Sequence, residues 1–398
     1  MNELDIPSAY RDGYRKAAIL NPDIATNYVA STTVGDPLAD AVVEALASLP
    51  AQEISRVVNA CMDRNAGALP NTPSALNDLI ESLSVVPTWF DDDAVLPGRL
   101  ALHRHMDLFI IGLFYVSLQN FDSLMSRVFF LTGEGTTQQG LRVIRQNMRY
   151  LTQTLILPQA LDPWEDGWKF SIRIRLVHAR VRRGLSNSGQ WSVIKYGVPV
   201  SAANMALTSA NFSASLIRNV DRLGANLSDC ERSSIMQIWR YASWLMGTPD
   251  TLLCEGDEDA TSELSRIGHV CEPSADAITT VIANAMIALL PEVAKLTDPA
   301  KKRAMIEHGY QLSRALLGDA FADRLEFPHK RTAGLLPLMR LRNRLQKMPG
   351  HLAPAIARLW KDDPFLQLLD AAMIASLRGQ LPDELKAAKA RAAAKKRS

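Results

Sequence analysis

The chain has 398 residues, 47% hydrophobic and 22% charged, with a net charge of +2. That is ordinary globular composition. It excludes a fibre, a disordered chain and the broad basic footprint of a nucleic-acid binder. The four cysteines, Cys61, Cys230, Cys254 and Cys271, form no CxxC pair, which argues against a disulfide framework and a thiolate zinc site.

The N-terminal stretch MNELDIPSAYRDGYRKAAIL has early acids and no apolar signal core. The longest apolar run, Leu108–Leu118, is too short to span a bilayer and reads as a buried core helix. A cytoplasmic protein without a transmembrane segment is expected.

Helical periods dominate and alternating strand patterns are nearly absent, so the expected class is all-α. The first forty residues look loose, with helices over Tyr10–Leu20 and Ala39–Leu49. Further helices are expected over Pro50–Asn65 and Pro70–Val85. Val86–Gly98 (VPTWFDDDAVLPG) reads as a loop whose aspartates are solvated or cap a helix, since no second acidic cluster completes a Mg²⁺ site. A single apolar helix should run over Leu100–Leu118. His103 and His105 on it face different sides and cannot share a metal. Asp122–Leu131 leads to a glycine-marked stop. A helix from Thr136 or Thr137 should reach Leu157, ended by Pro158. It carries Arg145 and Arg149 four residues apart, a spacing at which like charges repel unless solvent or an anion intervenes.

Trp168–Leu185 (WKFSIRIRLVHARVRRGL) places Phe170, Ile174, His178, Val181 and Leu185 on one helical stripe. Arg175 and Arg182 stand one turn before and after His178. Two readings fit: a hydrogen-bonded core histidine, or an imidazole presented to a flat ligand with a metal centre and acidic arms, such as haem. Ser186–Tyr196 reads as a polar loop. A helix after Ser201 buries Met205, Thr208, Phe212, Leu216, Val220 and Leu223 and stops at Gly224. Ser228 and Glu231 form a capping box for a helix through Trp239 and Trp244 to Gly247. Glu255, Asp257 and Glu258 open a linker-like loop. Ser274–Leu290 is another apolar helix, and helix, loop, helix follows from Lys301. The basic end from Lys386 reads as a frayed helix or a disordered, solvated tail.

There is no GxGxxG, P-loop, HExxH or GxSxG, and no repeated ExxH element.

An ordered series of short motifs narrows the choice. Pro87–Thr88–Trp89–Phe90–Asp91 precedes the apolar helix. Leu131–Thr132–Gly133 precedes the arginine helix. RIRLVHARVR then leads to Tyr196–Gly197–Val198–Pro199–Val200–Ser201, Glu231, Trp239–Arg240–Tyr241 and Leu245–Met246–Gly247. From Pro87 to Pro249 the chain thereby resembles the latex-clearing protein (rubber oxygenase) superfamily, which includes the membrane-bound oxygenase of fungal mycophenolic acid biosynthesis.

The resemblance implies an all-α haem b protein with a globin-like helical core and additional helices at both termini. His178 matches the proximal iron ligand, and Arg145 a distal-side arginine. Where the family commonly has a threonine this chain has Arg149, with Thr152 and Thr154 shortly after. Met148 stands where some members carry a lysine, and Glu134 is the one candidate for their acidic base. Arg145, Arg149 and Thr152 are therefore the catalytic candidates. His178, Arg175 and Arg182 are the cofactor-binding candidates, the arginines for the propionates.

The implied organisation is an N-terminal elaboration (1–85), a haem-binding core (86–250), C-terminal helices packed on it (251–385) and a basic tail (386–398). The implied activity is an oxygenase reaction of O₂ with a small lipophilic alkene, terpenoid or prenyl in kind. A polymer substrate is not expected without an export signal. A non-catalytic haem sensor or carrier, and a haem-free scaffold, are the alternatives.

Overall fold

Local caps and apolar periods build the helices. A computed structural model of the chain describes residues 5–64, 72–121, 124–134, 142, 146–147, 149–150, 154–274, 276–346 and 383–395. Among these residues every regular element is helical and the fold is all-α, as expected.

The N-terminal helices are α1 (Arg11–Leu20), α2 (Pro22–Ala30), α3 (Pro37–Ala45), α4 (Ala51–Met62) and α5 (Ser74–Ser84). Helix α2 departs from the loose start expected. Asn21 accepts a hydrogen bond from the Ile24 amide and Pro22 occupies the first helical position, so the two residues together begin a helix. Asp36 and Pro37 start α3 in the same way.

The apolar stretch expected as one helix is two, α6 (Leu96–Arg104) and α7 (Met106–Asn120). His105 breaks them apart at φ −117°, ψ 24°. Pro97 also starts α6 inside the stretch read as loop. The side chain of Arg99 is fully buried; it pairs with Asp92 and donates to the carbonyls of Leu155 and Leu157. Asp92 is thus an ion-pair partner of the helix it precedes. Helix α7 is buried along nearly its whole length, which accounts for its apolar sequence. No single described helix is long and apolar enough to cross a membrane. One bent pair, Met106–Asn120 with Leu124–Thr132, passes by length and composition.

Helix α8 (Leu124–Phe129) runs into a π-helical turn, Phe130–Glu134. Helix α9 (Asp166–Asn187) is the longest element at 22 residues. After it come α10 (Ala202–Ala210), a π-helical turn (Asn211–Ser215), α11 (Leu216–Arg222) and α12 (Asp229–Leu245). The capping box at Ser228 and Glu231 is present.

The acidic stretch expected as a linker instead opens α13 (Glu258–Cys271). Asp257 caps it, and Leu264, Ile267 and Cys271 are buried. Beyond it, with a short helical turn at Leu290–Val293, come α14 (Ala277–Ala288), α15 (Pro299–Leu317), α16 (Asp319–Arg324), α17 (Leu335–Gln346) and α18 (Asp383–Lys395). The basic end is helical over Asp383–Lys395, the first of the two readings its sequence allowed. Its alanines and lysines are strong helix formers, and Leu385 and Ala388 are buried.

Two hydrophobic clusters result. One holds α7, α11 and α12 with the first half of α9. The other joins α1 and α2 to α8, α10, α13 and the end of α9. Helix α9 crosses from one to the other.

Candidate active site

Where the clusters meet, α9 turns Ile174, Val177, His178 and Val181 toward a cavity of about 430 Å³. This is the stripe read from the sequence. Leu185 continues it into the second cluster, and Phe170 packs on Tyr150 with ring centroids 5.5 Å apart. Facing walls come from Leu113 of α7, from Met125, Val128 and Phe129 of α8, and from Met205 and Thr208 of α10. Phe212, in the π-turn after α10, stacks on Trp239 of α12 at 5.8 Å, and both rings line the chamber. The volume falls in the range of about 300–1,000 Å³ typical of small-molecule sites.

Among the described lining residues, His178 is the one imidazole, and no acid, lysine or arginine is present. Its Nδ1 is sealed from solvent without a hydrogen-bond partner. Burial, then the nearby Arg182 guanidinium, push its pKa down to about 4 against the opposing pull of Asp36. The imidazole is therefore neutral across physiological pH, the state a metal needs from a nitrogen donor. Among the described residues no three His, Cys, Asp or Glu side chains gather to hold a bare ion.

The sealed side of His178 is built by α3. Arg175 donates to Asp36 at 2.6 and 2.8 Å, a buried two-point pair. Arg182 donates to Asp40 at 2.9 Å and to the Val200 carbonyl at 2.5 Å. Gly247, at φ +93°, lies so close to Asp36 and Arg175 that a Cβ there would collide with both. Chain pairing fixes the same corner. The Val198 amide donates to the Thr32 carbonyl at 2.9 Å and the Ala202 amide to the Val34 carbonyl at 2.8 Å.

The two arginines expected at propionates therefore already have carboxylate partners, and neither lines the large cavity. Arg149 is exposed, with its guanidinium 5.9 Å from the Phe170 ring centroid. Arg145 and Thr152 lie outside the described residues, as do Met148 and the side chain of Glu134.

Sequence reasoning missed Asp36 and Asp40. Asp36 precedes the helix read over Ala39–Leu49, and its partner lies 139 residues away. It also missed Leu113, Met125, Tyr150, Trp239 and Met246 as lining residues, which nothing local distinguishes from core. A second buried histidine went unremarked. His269 Nε2 sits 3.0 Å from Gln119 Nε2 and 3.3 Å from Asn211 Oδ1, and its pKa is pushed down to about 4 by burial and then by Arg324.

The described helices enclose an apolar chamber with one neutral imidazole in its wall, the form of a small-molecule site. Residues 101–346 match the family described as ER-bound oxygenase mpaB/B′/Rubber oxygenase, catalytic domain, and the chain belongs to that family. It is an oxygenase-class enzyme. Its fold is similar to a solved structure of latex clearing protein LCP in the closed state. The TM-score is 0.66 at 18% identity, over 86% of this chain and 91% of that chain. No curated protein sequence matches significantly.

Proposed function

We propose that the chain is a haem b-dependent oxygenase that acts with O₂ on a small lipophilic alkene, terpenoid or prenyl in kind. The observation that carries this is His178, a neutral imidazole facing an apolar chamber of about 430 Å³. The residues fit the group: the donor is uncharged and the walls are apolar.

His178 would hold the iron through its neutral imidazole. Arg175 and Arg182, through Asp36 and Asp40, would hold α9 against α3 and so fix the orientation of the ring. Phe212, Trp239 and the α8 side chains would exclude water and orient an alkene by shape. When bound, haem supplies the redox chemistry that joins dioxygen to the substrate. Arg145, Arg149 and Thr152 stay in the proposal as polar groups on sequence grounds. All four cysteines are free, which suits a reducing compartment, and the proposal sets the enzyme in the cytoplasm.

The test is the absorbance spectrum of purified, haem-supplemented protein. A Soret band is expected in the native chain, lost or shifted in His178→Ala, with O₂ uptake on isoprenoid alkenes. No Soret band in the native chain would overturn the haem reading. An unchanged band in His178→Ala would overturn the ligand.

A further inference from the structure

The cavity beside His178 has two unlike sides. Helices α7, α8 and α9 bring Leu113, Val128, Ile174 and Val181 to it, all apolar. Helices α10 and α12 bring Thr208, Ser209, Trp239 and Ser243, and Thr248 follows just past the end of α12. Trp239 and Ser243 are one turn apart on α12 and share a face. Gly247, at φ +93°, then turns the chain back, and the Thr248 amide donates to the Ser243 carbonyl at 3.0 Å. That turn returns Thr248 to the last turn of the helix.

A helical serine can satisfy its hydroxyl on the carbonyl four residues back. Ser117, Ser171, Ser234 and Ser313 do so at 2.7–2.9 Å. The hydroxyls of this wall do not. Ser209 Oγ donates across to Ser243 Oγ at 2.7 Å, which leaves the Ser243 hydrogen without an acceptor among the described residues. The Thr208 hydroxyl bonds no described residue. Trp239 Nε1 and Thr248 Oγ1, on side chains 4% and 2% exposed, are buried in the wall and also unbonded.

Four donors therefore stand together without acceptors among the described residues. A buried donor left unpaired destabilises the structure that holds it, and an indole N–H can only donate. An acceptor is what this wall lacks. The described walls hold no lysine or arginine, so an ionised acceptor would itself be buried without a counter-charge. A neutral oxygen meets both conditions.

We propose that the substrate carries a neutral oxygen group, a hydroxyl, ether or carbonyl, and that Thr208 and Ser243 donate to it, backed by Trp239 and Thr248. This rests on the oxygenase reading above and narrows its substrate from a bare hydrocarbon to an oxygenated alkene. An occupant without the oxygen leaves the donors unpaired, so the wall selects against it.

The test uses the haem-supplemented full chain and three probes: geraniol, geranyl methyl ether, and the matching diene with hydrogen in place of the hydroxyl. Equilibrium dialysis gives their affinities for the native chain, Thr208→Val, Ser243→Ala and the double variant. The quantity read is the ratio of geraniol to diene affinity, in which general hydrophobicity cancels between proteins. It should fall about tenfold or more in the double variant, while the diene binds all four proteins alike and so shows an intact cavity. The ether can accept but not donate, so its ratio to the diene should fall in parallel. Were the double variant to lose the diene as well, the single variants decide by the same ratio.

A geraniol ratio unchanged by the substitutions would overturn the proposal. So would a geraniol ratio that falls while the ether ratio holds, since the wall would then accept rather than donate. O₂ uptake separates this inference from the reading beneath it. Uptake on diene and geraniol alike, with an unchanged ratio, would keep the oxygenase and overturn the polar wall. A shifted ratio without uptake on any probe would keep the wall and overturn the alkene reading.

Discussion

Arg175 and Asp36 form a two-point ion pair, Nε to Oδ2 at 2.6 Å and Nη2 to Oδ1 at 2.8 Å, closed over by Gly247. The pair stands one turn from His178 and joins α9 to α3 across 139 residues of chain. Both partners are buried, so it is more informative when broken than when counted.

Asp36→Ala should cost about 3–5 kcal/mol, because it leaves a buried guanidinium without its partner. Gly247→Ala should destabilise in the same direction, since its Cβ would push Asp36 and Arg175 apart. Urea unfolding measures both. Arg15→Ala serves as the control: its pair with Asp12 is 75% and 84% exposed, and its loss should stay within about 0.5 kcal/mol. An Asp36→Ala midpoint equal to that of the control would show that the corner carries no load.

Acid should weaken the fold through its buried imidazoles. His178 and His269 both have folded pKa values near 4, below the ~6.5 of a free imidazole. Between those values the unfolded chain binds more protons. Their contribution is fully present above about pH 6.5 and drains away as pH falls toward about 4. Urea midpoints should therefore drop from pH 7 to pH 5, and less steeply in His269→Gln. A slope unchanged by that substitution would mean His269 titrates normally.

Val181→Trp should fill the chamber beside His178 while leaving the ion pairs of α9 intact. The expected result is a folded protein with at least about tenfold weaker haem uptake, read from the ratio of Soret to protein absorbance. Native uptake in this variant would place the cofactor elsewhere.

Glu272 gathers the Tyr28 hydroxyl at 2.6 Å, the Tyr10 hydroxyl at 3.1 Å and the Leu124 amide at 3.0 Å. It ties α1 and α2 to the start of α8, which forms a wall of the cavity. Burial and this carboxylate hold both tyrosines protonated, with pKa values raised well above normal. Glu272→Gln keeps the shape and loses the charge-assisted bonds, a cost of about 1.5–3 kcal/mol. Hydrogen exchange over Leu124–Phe129 should quicken in this variant. Protection equal to the native chain would uncouple the N-terminal helices from the cavity wall.

The sequence by itself determined the helical class, because a period of 3.6 and the capping box at Ser228 are local properties. It determined the cavity-facing stripe of α9 for the same reason: Ile174, His178 and Val181 share a face whatever packs against it. It hid α2 and α13, whose starts at Asn21 and Asp257 look like polar loop until the helix behind them is seen. It also hid the break at His105.

Only the tertiary structure decided what each arginine of α9 does. Periodicity puts Arg175 and Arg182 on one side of His178 and Arg173 and Arg180 on the other, without saying what each pair meets. Helix α3 then brings Asp36 and Asp40 to the first two, while Arg173 meets the neutral Asn59 side chain of α4. A charge's role is set by its partner, and here the partners lie more than a hundred residues away in sequence. Periodicity fixes direction along one helix, while pairing depends on which helix the fold brings to face it.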